Sequence, residues 1–260
     1  MNHFITSAYW QQGHNDSALL LQHYQYGELP LCFACLCPGE GEDRGRAGAY
    51  LTERLLVWFR GLSWGRLTRD PEGRLQGLGN KLEETVERAG REMRDRGFLT
   101  KQEEPDLTGI LCVGEHFLLF GQGSCQIWLL NRCFGRGYIQ RIEESSPIRG
   151  NGSFLRQGTL QRGIGLLFAT ESFCSRVTDS ELRECLHVET VRTQEQADRH
   201  LRELGLRARE QGGSHMGAVL LLTEEDSGTK ELKMSKGNML PLITDISKRA
   251  DGYAQKGERS

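Results

Sequence analysis

Through residue 222 the apolar residues of this chain fall into short runs separated by glycine, asparagine or charged positions. Runs of this kind, continuous or alternating, predict β-strands. They lie at Ala18–Gln25, Leu29–Cys37, Gly109–Cys112, His116–Phe120, Gln126–Asn131, Tyr138–Ile142, Gly165–Ala169 and Ala218–Leu222. Gly121-Gln122-Gly123-Ser124 and Phe134-Gly135-Arg136-Gly137 read as hairpin-type turns, where glycine takes a positive φ at little cost. Helical spacing appears in four places. Ala47–Leu62 carries apolar residues at 47, 51, 55, 58, 59 and 62. Leu82–Gly97 is predicted to start after Asn80, with Glu83 as its capping partner. Thr178-Asp179-Ser180-Glu181 is a capping box opening Asp179–Leu186. Thr193-Gln194-Glu195-Gln196 is another, opening a helix to about Gln211 that buries Ala197, Leu201, Leu204 and Ala208 and stops at Gly212-Gly213. Strands, two helices, more strands, two helices and a last strand predict a layered α+β domain rather than a βαβ array. The domain is read over 1–222. Residues 223–260 form a polar tail in which only Met239-Leu240-Pro241-Leu242-Ile243 is apolar. That stretch either docks on the domain or serves as a recognition motif.

Composition narrows the function classes. Hydrophobic residues make up 37% and charged residues 26%, the balance of a globular domain. The net charge of −2 gives no reason to expect nucleic acid or an anionic membrane as partner. Locally, Arg44, Arg46, Arg54, Arg60, Arg66, Arg69 and Arg74 are dense. They read as a solvated helical face, or as a surface for an acidic or phosphorylated partner that arginine binds in bidentate fashion. The start, Met1-Asn2-His3-Phe4-Ile5-Thr6, lacks the basic-then-apolar form of a leader, and no run approaches the ~20 apolar residues of a membrane span. Eight irregularly spaced cysteines, several in apolar strand-like runs as Cys112 and Cys174 are, suggest free buried thiols in a reducing cytoplasm. Cys32-Phe33-Ala34-Cys35-Leu36-Cys37 contains a C-x-x-C. Strand alternation, however, sends Cys35 and Cys37 to one face and Cys32 to the other, and no second C-x-x-C completes a zinc site. Neither Gly39-Glu40-Gly41 nor Gly121-Gln122-Gly123 is followed by the Lys-Ser or Lys-Thr of a P-loop.

One stretch is more specific. Phe33-Ala34-Cys35-Leu36-Cys37-Pro38-Gly39-Glu40-Gly41-Glu42 reads as a buried strand running into a glycine-rich turn before a helix. With the order of elements around it, it resembles the metal-dependent serine/threonine phosphatases of type 2C (the PPM family). The resemblance implies a four-layer αββα fold, a central antiparallel β-sandwich flanked by helices, with a metal cleft at one end. Gln11-Gln12-Gly13-His14-Asn15-Asp16 stands where the family has Arg-x-x-Asn-Glu-Asp, so its phosphate-binding arginine is here Gln11, while Asp16 is kept. Pro38 stands where the Asp of Asp-Gly-x-Gly-Gly bridges two metals, and Gly39, whose carbonyl is a family ligand, is kept. Gly123-Ser124-Cys125-Gln126 matches the Gly-Asp-Ser-Arg segment in its apolar frame. Ala169-Thr170-Glu171 aligns with Ser-Asp-Gly, and His215-Met216-Gly217-Ala218 with Asp-Asn-x-Thr.

The replaced positions decide the expected function. Metal-assisted hydrolysis of a phosphate monoester needs two divalent cations about 4 Å apart, which repel by roughly 16 kcal/mol at an effective dielectric of 20. Bridging carboxylates offset that repulsion, and hard cations require oxygen ligands. Pro38, Thr170 and His215 offer no side-chain donor, a neutral hydroxyl and an imidazole. The expectation is therefore a catalytically inactive, bacterial-type cytoplasmic pseudophosphatase, a binding or regulatory module in phospho-signalling. Its partner is read as a kinase, a phosphoprotein or an active phosphatase, and no cofactor is expected. The alternative is a divergent active phosphatase whose rearranged site uses Asp16, Glu40 and Glu171 to hold Mn²⁺ or Mg²⁺.

Overall fold

The computed structural model describes residues 4–11, 17–38, 42–131, 138–142, 154–160, 163–186, 190–213 and 216–223. Along these residues run strands β1 (Phe4–Trp10), β2 (Ser17–Tyr26) and β3 (Leu29–Pro38), then helices α1 (Glu42–Arg60), α2 (Trp64–Leu67) and α3 (Pro71–Asp95). Six strands follow: β4 (Leu107–Val113), β5 (His116–Gln122), β6 (Gln126–Asn131), β7 (Tyr138–Arg141), β8 (Phe154–Thr159) and β9 (Ile164–Ala169). Helices α4 (Glu171–Cys174), α5 (Asp179–Cys185) and α6 (Gln194–Glu210) lead to β10 (Gly217–Thr223). One sheet is ordered β1-β10-β9-β6-β7 and the other β2-β3-β4-β5-β8, with every neighbouring pair antiparallel.

Three apolar clusters set the layers. Cys32, Ala34, Ile110, Phe117, Ile127, Phe168 and Val219 meet between the sheets. Phe33, Cys35 and Cys37 of β3 point the other way, into a layer with Leu51, Leu55 and Phe59 of α1 and Leu82, Val86 and Met93 of α3. Leu167, Leu220 and Leu222 pack outward against Leu182 of α5 and Ala197, Leu201 and Leu204 of α6. This is the expected four-layer αββα arrangement. A strand such as β3, buried on both faces, reads as one apolar run because neither face meets water. At the far end of the sandwich the Thr223 hydroxyl donates to the Ile164 carbonyl (3.0 Å) and accepts from the Ile164 amide (3.1 Å). The last described residue of β10 is thereby fastened to β9.

The structure departs from the sequence reading in several places, α1 starting at Glu42 and α2 at Trp64 among them. First, β1 and β8 are strands that the apolar runs did not signal. Second, α3 begins at Pro71, not near Leu82. Asp70 caps it through the Gly73 amide, and Asn80 lies inside the helix. Its glycines hide the pattern, and Gly79 lets β8 come close: a Cβ there would stand 2.4 Å from the Leu155 Cδ2 methyl, so that side chain would have to shift. Third, Gly121–Ser124 is not a hairpin. β5 and β6 belong to different sheets, so the turn carries the chain from one sheet to the other. The turn at 134–137 lies outside the described residues. Fourth, Cys174 closes the single helical turn α4 rather than sitting in a strand. Both capping boxes form as expected, at Thr178 with Glu181 and at Thr193 with Gln196. No described helix is long and apolar enough to cross a membrane.

Candidate functional site

Antiparallel register brings one set of strand ends together. β3 ends at Pro38, β4 begins after Asp106, β5 leaves its sheet at Gln122 and β9 stops at Ala169. A cavity of about 420 Å³ opens at these ends. Ala47, Gly48 and Leu51 of α1, with Met93 and Leu99, supply an apolar wall. Glu103, Glu104, Asp106 and Glu171 supply carboxylates.

Thr170 is the most informative residue here, and it is only 3% exposed. As N-cap of α4 its Oγ1 accepts from the Phe173 amide (3.3 Å), and the same oxygen accepts from the Gly217 amide (3.2 Å). Its own backbone N–H donates to the Gly217 carbonyl at 2.9 Å. A hydroxyl oxygen has two acceptor positions, so both are taken up in joining α4 to the start of β10. Across the cavity Pro38 presents only a ring.

The acids are held in place by their surroundings. Asp106 accepts from the Ser124 hydroxyl (2.6 Å) and the Ser124 amide (3.2 Å). That turn needs Gly123, whose φ is +96° and where a Cβ would lie 2.4 Å from the Asp106 carboxylate. Glu103 accepts from the Thr100 amide at 2.8 Å. Glu104 faces Arg94 at 3.5 Å, and Arg94 also donates to the Glu103 carbonyl (3.0 Å). Glu171 begins α4, where a helix N-terminus favours negative charge.

Thiols lie behind the strand ends. Cys35 and Cys37 stand 3.5 Å apart through their sulfurs. Burial pushes the Cys35 thiol up, helped by the hydrogen bond with Cys37. Burial and then Asp106 push Cys125 up in the same way. Cys174 is pushed to about 11 by burial, although the Trp128 indole N–H on its sulfur (3.4 Å) pulls the other way. Thiols raised like this stay protonated at neutral pH and are poor nucleophiles.

Pro38, Thr170 and Glu171 line one cavity. Gln11 continues β1, donating its amide to the Met216 carbonyl (3.0 Å), with its side-chain Oε1 buried. It is not among the residues lining the cavity. Asp16, Gly39, Glu40 and His215, with His14, lie outside the described residues. Sequence reasoning missed Glu103, Glu104 and Asp106. Their signal was three acids packed around Pro105 immediately before an apolar strand. Among the described residues no three His, Cys, Asp or Glu side chains gather closely enough to hold a metal ion. The occupied Thr170 oxygen and the ring of Pro38 offer a hard cation no free side-chain oxygen.

No protein-family model and no curated protein matches this chain. Solved structures do. A bacterial serine phosphatase is similar over 87% of this chain and 100% of its own, at 14% identity and a TM-score of 0.61. The catalytic domain of the serine/threonine protein phosphatase PstP, in complex with two manganese ions, is similar over 86% and 100%, at 16% identity and a TM-score of 0.57. The serine/threonine phosphatase of S. agalactiae covers 87% and 100%, at 13% identity and a TM-score of 0.57. The chain therefore has the fold of the type 2C phosphatases, nearly end to end for each of those domains.

Proposed function

We propose that this protein is a catalytically silent phosphatase-like domain that acts by binding, as a regulatory module in phospho-signalling. A kinase, a phosphoprotein or an active phosphatase is its partner. One observation carries the reading. Where the sequence aligns with a metal-ligating aspartate of the type 2C phosphatases, the Thr170 oxygen is consumed by two backbone amides. Pro38, at the position of the bridging aspartate, adds no oxygen, and Gln11 replaces the phosphate-binding arginine. With no carboxylate at either position, neither supplies the bridging negative charge that offsets the repulsion between two divalent ions. The expected result is that purified protein with Mn²⁺ leaves p-nitrophenyl phosphate at its uncatalysed rate. Metal-dependent turnover at the rate of an active phosphatase would overturn the proposal.

A second reading has its own support, because Glu171 shares the cavity with Asp106 and Glu103. In that reading Asp16, Glu40 and Glu171 hold Mn²⁺ or Mg²⁺ in a rearranged site of an active enzyme. It predicts Mn²⁺ binding by calorimetry that weakens on Glu171→Ala. Heat-silent titrations with Mn²⁺ and Mg²⁺ would remove it.

A further inference from the structure

Strands β1, β7, β2 and β8 form the edges of the two sheets, and three of them are blunted against further pairing. β1 has the backbone of Thr6 taken up by Gln194 of α6: the Thr6 amide donates to Oε1 (3.2 Å), and Nε2 donates to the Thr6 carbonyl. β7 is four residues long and ends in Arg141. β8 carries Arg156 in mid-strand. A covering side chain, short length and charge are devices that keep sheets from joining edge to edge.

β2 has none of these. It runs ten residues, Ser17–Tyr26, without Asp, Glu, Lys, Arg or Pro, and spans about 33 Å. All ten pair with β3 in unbroken register, so no bulge twists the edge away. Tyr24 and Tyr26 are exposed. Pro30 fixes which backbone groups face outward. It lies opposite Gln25 and has no N–H, so theirs is not a hydrogen-bonded pair. By the alternation of an antiparallel ladder, the amides and carbonyls of Leu19, Leu21, His23 and Gln25 then point away from β3. The Leu21 carbonyl accordingly accepts from the side-chain Nε2 of Gln22 (3.0 Å). Among the described residues the rest of this outward row meets no hydrogen-bond partner.

Such a row takes a strand of equal length and no charge. An acidic or basic peptide finds no countercharge along it. In the tail, residues 237–244 are uncharged, but Pro241 would interrupt their ladder. The chain's own β2 meets every requirement. Two antiparallel copies related by a two-fold axis at Gln22 set Leu19 opposite Gln25 and Leu21 opposite His23, on both sides of the axis. Every outward amide and carbonyl is then paired, once Gln22 releases the Leu21 carbonyl and faces its own copy instead. We propose that β2 is the interface of a symmetric dimer, in which it pairs antiparallel with β2 of a second copy and joins two five-stranded sheets into one.

Sedimentation of the full chain tests this. A dimer is expected at about 100 µM, well above a micromolar Kd. Gln25→Pro removes an amide that the β2–β3 ladder does not use, so the fold should be kept while dimerisation weakens at least about tenfold. With copper–phenanthroline as oxidant, Gln22→Cys should link to its own copy, because opposed non-hydrogen-bonded residues lie within disulfide reach. Tyr26→Cys and the parent chain should give no such link. A dimer that resists Gln25→Pro, or that links through Tyr26→Cys and not through Gln22→Cys, overturns the pairing. A monomer overturns it as well, and hydrogen exchange then tells what is there instead. Protected amides at Leu19, Leu21, His23 and Gln25 mean that the chain's own tail or loops cover the edge, and fast exchange means that it is bare.

Discussion

The ends of β9 and β3 reach the same cavity from opposite sheets, and they differ in what they do there. β9 runs into Thr170, a polar residue turned into the structure, where it joins α4 to β10. β3 ends in Pro38, which lines the cavity and has no polar side-chain atom to commit. The first end has become part of the scaffold, and the second has simply become inert. A lost ligand position therefore need not be an idle one, and the contrast is measurable. Thr170→Val, which keeps the shape but not the oxygen, strands two buried amides. It should cost about 2–4 kcal/mol in urea unfolding, while Thr170→Ser should recover most of that. Thr178→Val, at an exposed cap serving only α5, should cost about 1 kcal/mol by the same measurement. Pro38→Ala should cost about 0.5 kcal/mol, mainly through the freer unfolded chain. If Pro38→Ala proves as damaging as Thr170→Val, the two ends are not different in kind.

The smallest expected effect is one of pH. The Thr178 amide and then its hydroxyl hold the Glu181 carboxyl below the usual carboxylate range. The folded state thus binds that proton less readily than the unfolded chain. The resulting stability is present above about pH 4.3 and is lost as pH falls through the lowered folded value. Because the group is exposed to solvent, the contribution should stay below about 0.5 kcal/mol. Glu181→Gln should therefore narrow the difference between unfolding free energies at pH 7 and pH 3 by that amount, and a larger change would make this cap more than a local device.

Much of the scaffold was written in the sequence because two-sided burial produces unmistakable apolar runs, as in Leu31–Cys37 and Val219–Leu222. β1 escaped because Thr6 and Ser7 are buried polar residues in the middle of the strand, which breaks both the run and the alternation. β8 escaped because it is an edge strand carrying Arg156, Gln157 and Gly158. The first half of α3 was obscured by Gly73, Gly77 and Gly79, which lower helix propensity, the last of them packed against Leu155. At the site, motif order named Pro38, Thr170 and Glu171, and all three line one cavity. Asp106 could be placed only by pairing: β4 runs antiparallel to β3, with Gly109 opposite Cys35, so the residues before β4 arrive beside Pro38. What no pattern conveyed is that the Thr170 oxygen faces inward, since that depends on where Gly217 lies in space.

The double hydrogen bond between Thr223 and Ile164 pins two neighbouring strands at the end of the sandwich opposite the cavity. Neither strand can peel from that end until both bonds break, so local opening is expected to start elsewhere in the sheet.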